Sequence, residues 1–436
     1  MSLTLQADAI APSSPHEQAL QRSAVNKCAW QMLPILILAF VFNYIDRTSV
    51  GFAALTMNAD LGMTATQFGW GAGILFAGYC LLEVPSNLAL YRYGDRRWLA
   101  RIMITWGIAA AATAFVVGPY SFYLARFILG VAEAGFFPGV AFYLACWFPA
   151  QYRTRMLAWF MVGVPVSSII SGPFSGVLLA MEGIGGLHGW QWMFIIQGLP
   201  ASLIGLLVLF KLRDKPSEAH WLTNDESEAL EKMLASEHRE RETKNLLGAL
   251  KDPRVLILTV IQFGFVLGSY GIGIWLPTIL KSHGLDVTST AMLSSVPYIF
   301  ATIGMLLWAR RVDRNGKKTL NLIMCCLLGA CAMAAAAMLS QMVPALIGIS
   351  VAVLGATTAR AVFWSIPTRF LTGAAAAGGL AFINSVGTFG GFVGPFVVGW
   401  LKDTTGSFSM GIFFMAGMLL LSAFMTLVLR LFVKAE

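Results

Sequence analysis

The sequence predicts an all-α membrane protein: twelve transmembrane helices arranged as two six-helix, pseudo-symmetric halves. Three observations predict it. First, hydrophobic residues fill 57% of the 436 positions and charged residues only 12%, with a mean hydropathy of +0.71. Charged residues supply about 25% of a soluble domain. Second, apolar runs of about 20 residues, the length that spans a bilayer, recur twelve times. Third, two separate motifs reappear at a single offset of 222 residues.

The elements follow in order. Residues 1–29 are polar and lack the basic, apolar and small-residue layout of a cleaved signal. They are expected as a cytoplasmic tail, with the first span acting as an uncleaved insertion signal. The apolar runs lie at 30–52, 67–90, 98–118, 120–147, 154–180 and 190–211, then at 254–279, 291–309, 319–340, 343–367, 375–401 and 408–432. These define an amino-terminal bundle over 30–211 and a carboxy-terminal bundle over 253–433, leaving 434–436 as the terminus. Between the bundles, 212–252 carries both charge signs ("RDKPSEAHWLTNDESEALEKM"). It reads as a soluble connector with a short helix starting near Thr223 or Asn224.

The repeat pairs "YRYGDRRW" at 91–98 with "DRNGKKTL" at 313–320, and Gly172-Pro173-Phe174 with Gly394-Pro395-Phe396. Parallel halves of this kind place a substrate site between them near the midplane. Basic residues gather in alternate loops: Arg92, Arg96, Arg97 and Arg101; Arg153 and Arg155; Arg310, Arg311, Arg314, Lys317 and Lys318. The positive-inside rule puts those loops, the connector and both termini in the cytoplasm. The same distribution turns the formal charge of +8 into a topology signal and argues against a nucleic-acid partner. Six Cys at 28, 80, 146, 325, 326 and 331 form no zinc-like spacing. Five His at 16, 188, 220, 238 and 283 fall in predicted tails or loops. No metal site or cofactor is expected. No nucleophile-base pair or phosphate loop points to an enzyme.

Six ionisable residues interrupt the apolar runs: Asp46, Arg47, Glu83, Arg126, Glu133 and Arg360. A charge at the bilayer centre costs at least about 2.5 kcal/mol and normally faces a bundle interior or a wet cavity. Five of the six lie in the first half, although both halves share a plan; a purely structural need would load both alike. Arg47 and Tyr44 share one helix face, as do Arg126 and Glu133 two turns apart. A guanidinium grips a carboxylate through two parallel hydrogen bonds and stays charged, whereas a buried carboxylate can take a proton. Two readings follow. In one, Arg47 and Arg126 bind an anion while Asp46 and Glu133 carry protons. In the other, Asp46 pairs with Arg126, or Arg47 with Glu133, to lock two helices together.

At this point "NYIDRTSVGFAAL", "GYCLLEVPSNLAL", "RWLARIMITWG", "RFILGVAEAGFFPG", "GWQWMFIIQGLPA" and "AFINSVGTFGGFVGP" resemble the anion:cation symporter family of the major facilitator superfamily, over nearly the whole chain. The resemblance is to bacterial carriers of tartrate, hydroxyphenylacetate and phthalate, and more distantly to sugar-acid carriers. It implies proton-coupled uptake of an organic anion across the bacterial inner membrane, with H+ as the coupling ion and no other cofactor. It favours the anion-grip and proton-carrier roles above. It also places Asn384 on the substrate, against an interhelical hydrogen bond as the alternative.

The remaining candidates divide by position. Tyr44 and Tyr79 are candidate substrate contacts, Tyr79 alternatively a packed aromatic. Trp364, with Phe363, forms an aromatic wall or simply packs. Glu83, Arg92, Asp313 and Arg314 are gate or structural residues. Tyr91 stands where the superfamily loop carries Asp, and Arg360 where a neutral residue is expected. Arg360 either contacts a second anionic end of the substrate or snorkels to the interface. The expected partners are a small organic anion and membrane lipids, and the expected state is a monomer. An exchanger of the same fold, and a receptor that binds without transport, are the alternatives.

Overall fold

The computed structural model describes residues 15–238, 252–339, 341–367 and 373–432. The expected tail before residue 15, connector residues 239–251 and the terminus from 433 onward lie outside the described residues. Among the described residues the regular structure is helical.

Among the described residues twelve helices are long and apolar enough to cross a membrane, numbered here as spans 1 to 12. The first half comprises His16–Asp60, Ala65–Tyr93, Asp95–Phe115, Pro119–Trp147, Ala150–Leu179 and Gly189–Lys211. The second comprises Pro253–Lys281, Val287–Val312, Lys318–Met338, Met342–Phe363, Phe382–Thr405 and Ser409–Phe432. Large apolar side chains such as Leu81, Leu124, Phe210, Leu307 and Phe424 point outward and are exposed. Others, including Trp106, Trp147, Trp190 and Trp275, are fully buried. A helix that is apolar all round is what a lipid-facing bundle requires.

The repeat is visible in the backbone. Gly94 ends span 2 and Gly316 caps the helix of span 8, and both adopt positive φ, 88° and 66°. That conformation suits glycine. The halves meet along three pairings: span 1 with 7, span 2 with 11, and span 5 with 8. Small residues allow the close approach. Hydrogen bonds join the halves at the end away from the connector. There Asp403 of span 11 accepts from the Ala65 and Thr66 amides (3.2 and 2.7 Å) and from the Thr66 hydroxyl (2.5 Å). A carboxylate from one half thus caps a helix of the other. Lys281 of span 7 donates to the Leu55 carbonyl of span 1 beside it.

The first helix departs from the expected boundary. It continues back through the polar segment to Pro15 and packs on the connector helix, Asn224–His238. That helix begins where expected, because Thr223 and Glu226 form a reciprocal cap: Thr223 N donates to Glu226 Oε2 and Glu226 N to Thr223 Oγ1.

A candidate substrate site between the two halves

A cavity of about 110 Å³ lies between the halves. Span 1 contributes Phe40, Asn43, Tyr44 and Arg47; span 2, Tyr79; span 4, Phe137; span 5, Met161 and Val164. The second half contributes Gln262, Phe265, Val266 and Tyr270 from span 7, Arg360 and Trp364 at the end of span 10, and Asn384 and Thr388 from span 11. Two arginines and no acid stand on this wall among the described residues.

Behind the first-half wall lies an ionic cluster. Glu133 is fully buried. Its Oε1 accepts from Arg47 Nε (2.5 Å) and Asn43 Nδ2 (2.7 Å), and Arg47 Nη2 forms the ion pair with the same oxygen. Its Oε2 has no hydrogen-bond partner. The Arg47 guanidinium lies 4.8 Å from the Tyr79 ring centre, and its Nη1 donates to the Tyr270 hydroxyl across the halves at 3.3 Å. Asp46 points the other way and accepts from Trp106 Nε1 of span 3 at 2.5 Å.

Span 4 is interrupted just beyond Glu133. Its first segment ends there, and Gly135 turns the chain with φ 87°. A Cβ at Gly135 would come within 2.5 Å of the Ser86 hydroxyl, so both the turn and the packing call for glycine.

The predicted residues separate accordingly. Tyr44, Arg47, Tyr79, Arg360, Trp364 and Asn384 line the cavity together. Arg126 does not. It is fully enclosed, with Nη1 3.5 Å from the Asp46 carbonyl oxygen and with Nε and Nη2 unpartnered. Of the two expected ion pairs, Arg47 with Glu133 is present; Arg126 instead approaches the Asp46 main chain. Arg360 is no snorkelling residue, because its Nη2 is buried and its guanidinium lies 5.7 Å from the Tyr270 ring centre. Glu83 bridges the halves: it accepts from Asn384 Nδ2 (3.0 Å) and from the Ser385 hydroxyl (2.6 Å). Asn384 therefore has both anticipated settings, on the cavity wall and in an interhelical hydrogen bond. Arg92 and Arg314 are exposed, Arg92 lying over Tyr93. The Asp313 side chain lies outside the described residues.

Sequence reasoning missed Asn43, Trp106, Gln262 and Tyr270. Asn43 stands four residues before Arg47, on the same helix face, which was a usable signal. Tyr270 in "GSYGIGIW" is a polar aromatic among glycines, an equally readable one. Nothing local marks Trp106 as the partner of Asp46.

The family model for the Major Facilitator Superfamily matches residues 36–395. The chain belongs to that superfamily. It is 47% identical over 412 residues to an Agrobacterium vitis protein named "Putative tartrate transporter", covering 94% of this chain and 92% of that one. It is 42% identical over 411 residues to the "Quinolone resistance transporter" of Acinetobacter baumannii, covering 93% and 94%. The solved structure of a D-xylose-proton symporter superposes with a TM-score of 0.72 at 16% identity, covering 93% of this chain and 98% of that one. At that identity the likeness concerns the fold. The resemblance drawn from the sequence motifs agrees with these relatives. This superfamily member is a multi-pass secondary transporter with a small-molecule substrate, and it is not an enzyme.

Proposed function

We propose that the protein carries an organic acid, as its anion and together with protons, into the bacterial cytoplasm by alternating access. The observation that carries this reading is the wall itself: two arginines face a cavity without an acid, and one of them already holds a carboxylate, that of Glu133. A site that binds an internal carboxylate through Arg47 Nε and Nη2 has the donor geometry for an external one. Tartrate is a dicarboxylate and a quinolone carries a carboxylate, so both relatives' names suit such a wall. At roughly 10–15 Å³ per water-sized occupant, the cavity suits a ligand on the order of ten non-hydrogen atoms.

Two further features support coupling to protons. Asp46 and Glu133 are buried carboxylates beside the anion site, and a neutral form of Glu133 would release Arg47. The cavity between two pseudo-symmetric halves, which hydrogen bonds join at the end away from the connector, supports rocking of one half on the other. We place the connector and both termini in the cytoplasm and the protein in the inner membrane, from the basic loops.

Purified protein in liposomes tests the function. An inward proton gradient should drive accumulation of radiolabelled tartrate, and a proton ionophore should abolish it. Tartrate that equilibrates without accumulating, and exchanges one-for-one regardless of the gradient, would replace symport by anion exchange. A Cys introduced at the exposed Glu228, in a background without native Cys, should stay unlabelled by an impermeant thiol reagent in intact cells. Labelling before permeabilisation would reverse the orientation.

A further inference from the structure

The two arginines on the cavity wall are in opposite states. Every Arg47 side-chain nitrogen has a partner: Nε and Nη2 meet Glu133, and Nη1 meets Tyr270. Arg360 has no carboxylate beside it on the wall. Its Nη2 is buried without a hydrogen-bond partner, while the guanidinium packs near the Tyr270 ring and faces Tyr44. A buried cation is unfavourable unless an anion compensates it. The described protein supplies that anion to Arg47 and withholds it from Arg360. Tyr270 touches both, so the two cations flank one side chain from opposite halves.

We propose that Arg360 and Arg47 form a two-ended cradle for a dicarboxylate: one carboxylate pairs with Arg360, and the other replaces Glu133 on Arg47 when Glu133 takes a proton. This rests on the organic-anion reading and narrows it to diacids. Glu133 Oε1, held by Arg47 and Asn43, stands in for the second carboxylate. The groups facing Glu133 are Arg47, Asn43 and Asp46 on span 1, Tyr79 on span 2 and Arg126 on its own span, with Tyr270 of span 7 reaching it through Arg47. The charge balance sets the substrate class. Before binding, the cradle of Arg360, Arg47 and Glu133 carries one net positive charge. A monoanion on Arg360 neutralises it with no proton. A dianion neutralises it only if one proton enters, on Glu133. Diacid binding is therefore proton-linked and monoacid binding is not.

Calorimetry of the full-length protein in detergent, in buffers of different ionisation enthalpy, tests this with tartrate and threonate. These share a four-carbon chain, and threonate has a hydroxymethyl group in place of one carboxylate. Tartrate should bind more tightly, take up about one proton, and tighten as pH falls; threonate should bind without proton uptake. Arg360→Gln should weaken tartrate roughly tenfold or more, the worth of a lost charge-assisted contact. It should also erase the preference and make threonate binding proton-linked, because only Arg47 then remains. Arg360→Lys keeps the charge and should keep a preference for tartrate at lower affinity; it serves also if the Gln variant does not fold. Tartrate binding without proton uptake, or an Arg360→Gln protein that keeps the full preference, overturns the cradle. Wild-type protein that binds both acids equally overturns the cradle and leaves the organic-anion reading standing. Wild-type protein that binds neither overturns both.

Discussion

The two halves share a backbone plan and differ in what they bury. At the repeat offset, Gly51 of span 1 answers to Gly273 of span 7, while Asp46, Arg47 and Glu83 answer to Gly268, Ser269 and Met305. The same helices are thus built once with ions and once without. Tyr44 and its counterpart Val266 both stand on the cavity wall, so the positions are equivalent in space as well as in sequence. The fold does not need these charges; spans 1 and 2 keep them at a cost that spans 7 and 8 avoid. The second half gives the cavity neutral donors, Gln262 and Asn384, and the single cation Arg360. On the proposed reading the difference divides the tasks: titration and anion exchange on one side, a fixed positive end on the other.

The strongest way to break this division is to neutralise the first half. Asp46→Asn and Glu133→Gln should each lower proton-driven accumulation in liposomes by on the order of a hundredfold, the low end of what a positioned acid or base contributes to a proton-transfer step. Both should retain exchange of substrate across the bilayer, since an amide mimics the protonated acid. Arg47→Gln should lose both activities. Ser269→Ala, at the neutral counterpart of Arg47, should leave uptake within about twofold, because removing a hydroxyl that has no hydrogen-bond partner forfeits nothing. If the amide variants still accumulate substrate, the asymmetry of charge is not an asymmetry of coupling.

A second test addresses packing at equivalent positions. A Cβ on Gly51 would lie 2.4 Å from the Ile274 carbonyl oxygen, a main-chain atom of the facing span. At Gly273 the nearest obstacle is the Tyr298 hydroxyl at 3.3 Å, the end of a side chain. Gly51→Ala should therefore force spans 1 and 7 apart and cost about 1–3 kcal/mol, the usual penalty of overpacking. Gly273→Ala should cost less than about 1 kcal/mol, since a side chain can yield where a main chain cannot. Thermal unfolding of the two variants in detergent measures the contrast. Equal losses would mean that the main chain of span 7 facing Gly51 yields as readily as the Tyr298 side chain of span 8 beside Gly273.

These contrasts show what the sequence made legible. The twelve spans, the halves and the charged set were readable because each is local: a run length, a loop composition, a charge in an apolar run. The pairing of Arg47 with Glu133 was one of two options, since spacing along each helix fixes a face but not the partner helix. Whether Arg126 or Arg360 faced the cavity was beyond such reasoning. Arg126 shares a face with Glu133, yet the interruption at Gly135 and the depth of span 4 enclose it behind the wall. Arg360 sits near a helix end, where snorkelling is the ordinary outcome; only the three-dimensional course of spans 7 and 10 turns it onto Tyr270. The long first helix was missed because polar residues 15–29 find their partners in the connector, a contact between segments about two hundred residues apart.

That contact supplies the smallest predicted effect and the last difference between the halves, since the connector helix is fastened to the first. Glu226 accepts from Ser23 (2.6 Å) and Lys27 (2.9 Å) on the extension of span 1, and Trp221 stacks on Trp147. Burial alone would raise the Glu226 carboxyl, but the hydrogen bonds from Lys27, Ser23 and the Thr223 amide outweigh it and hold it at about 2, against an ordinary 4.5. A carboxyl depressed on folding adds stability that is complete above its unfolded value. That stability is lost as pH falls from about 4.5 towards about 2. The clasp should therefore hold at neutral pH and loosen only in acid. Glu226→Gln keeps the helix cap, for which glutamine serves as well as glutamate, but removes the charge. It should weaken docking by about 1 kcal/mol, because the partly exposed Lys27 limits what the pair is worth. Protection factors for hydrogen exchange over 224–235 should fall several-fold in the variant at neutral pH, and in the wild type only below about pH 4.5. Uptake should change little in both. Protection factors that stay equal between variant and wild type, and in the wild type across that pH range, would mean the connector rests on Trp147 and Trp221 alone, with the ion pair contributing nothing to the hold of the first half on it.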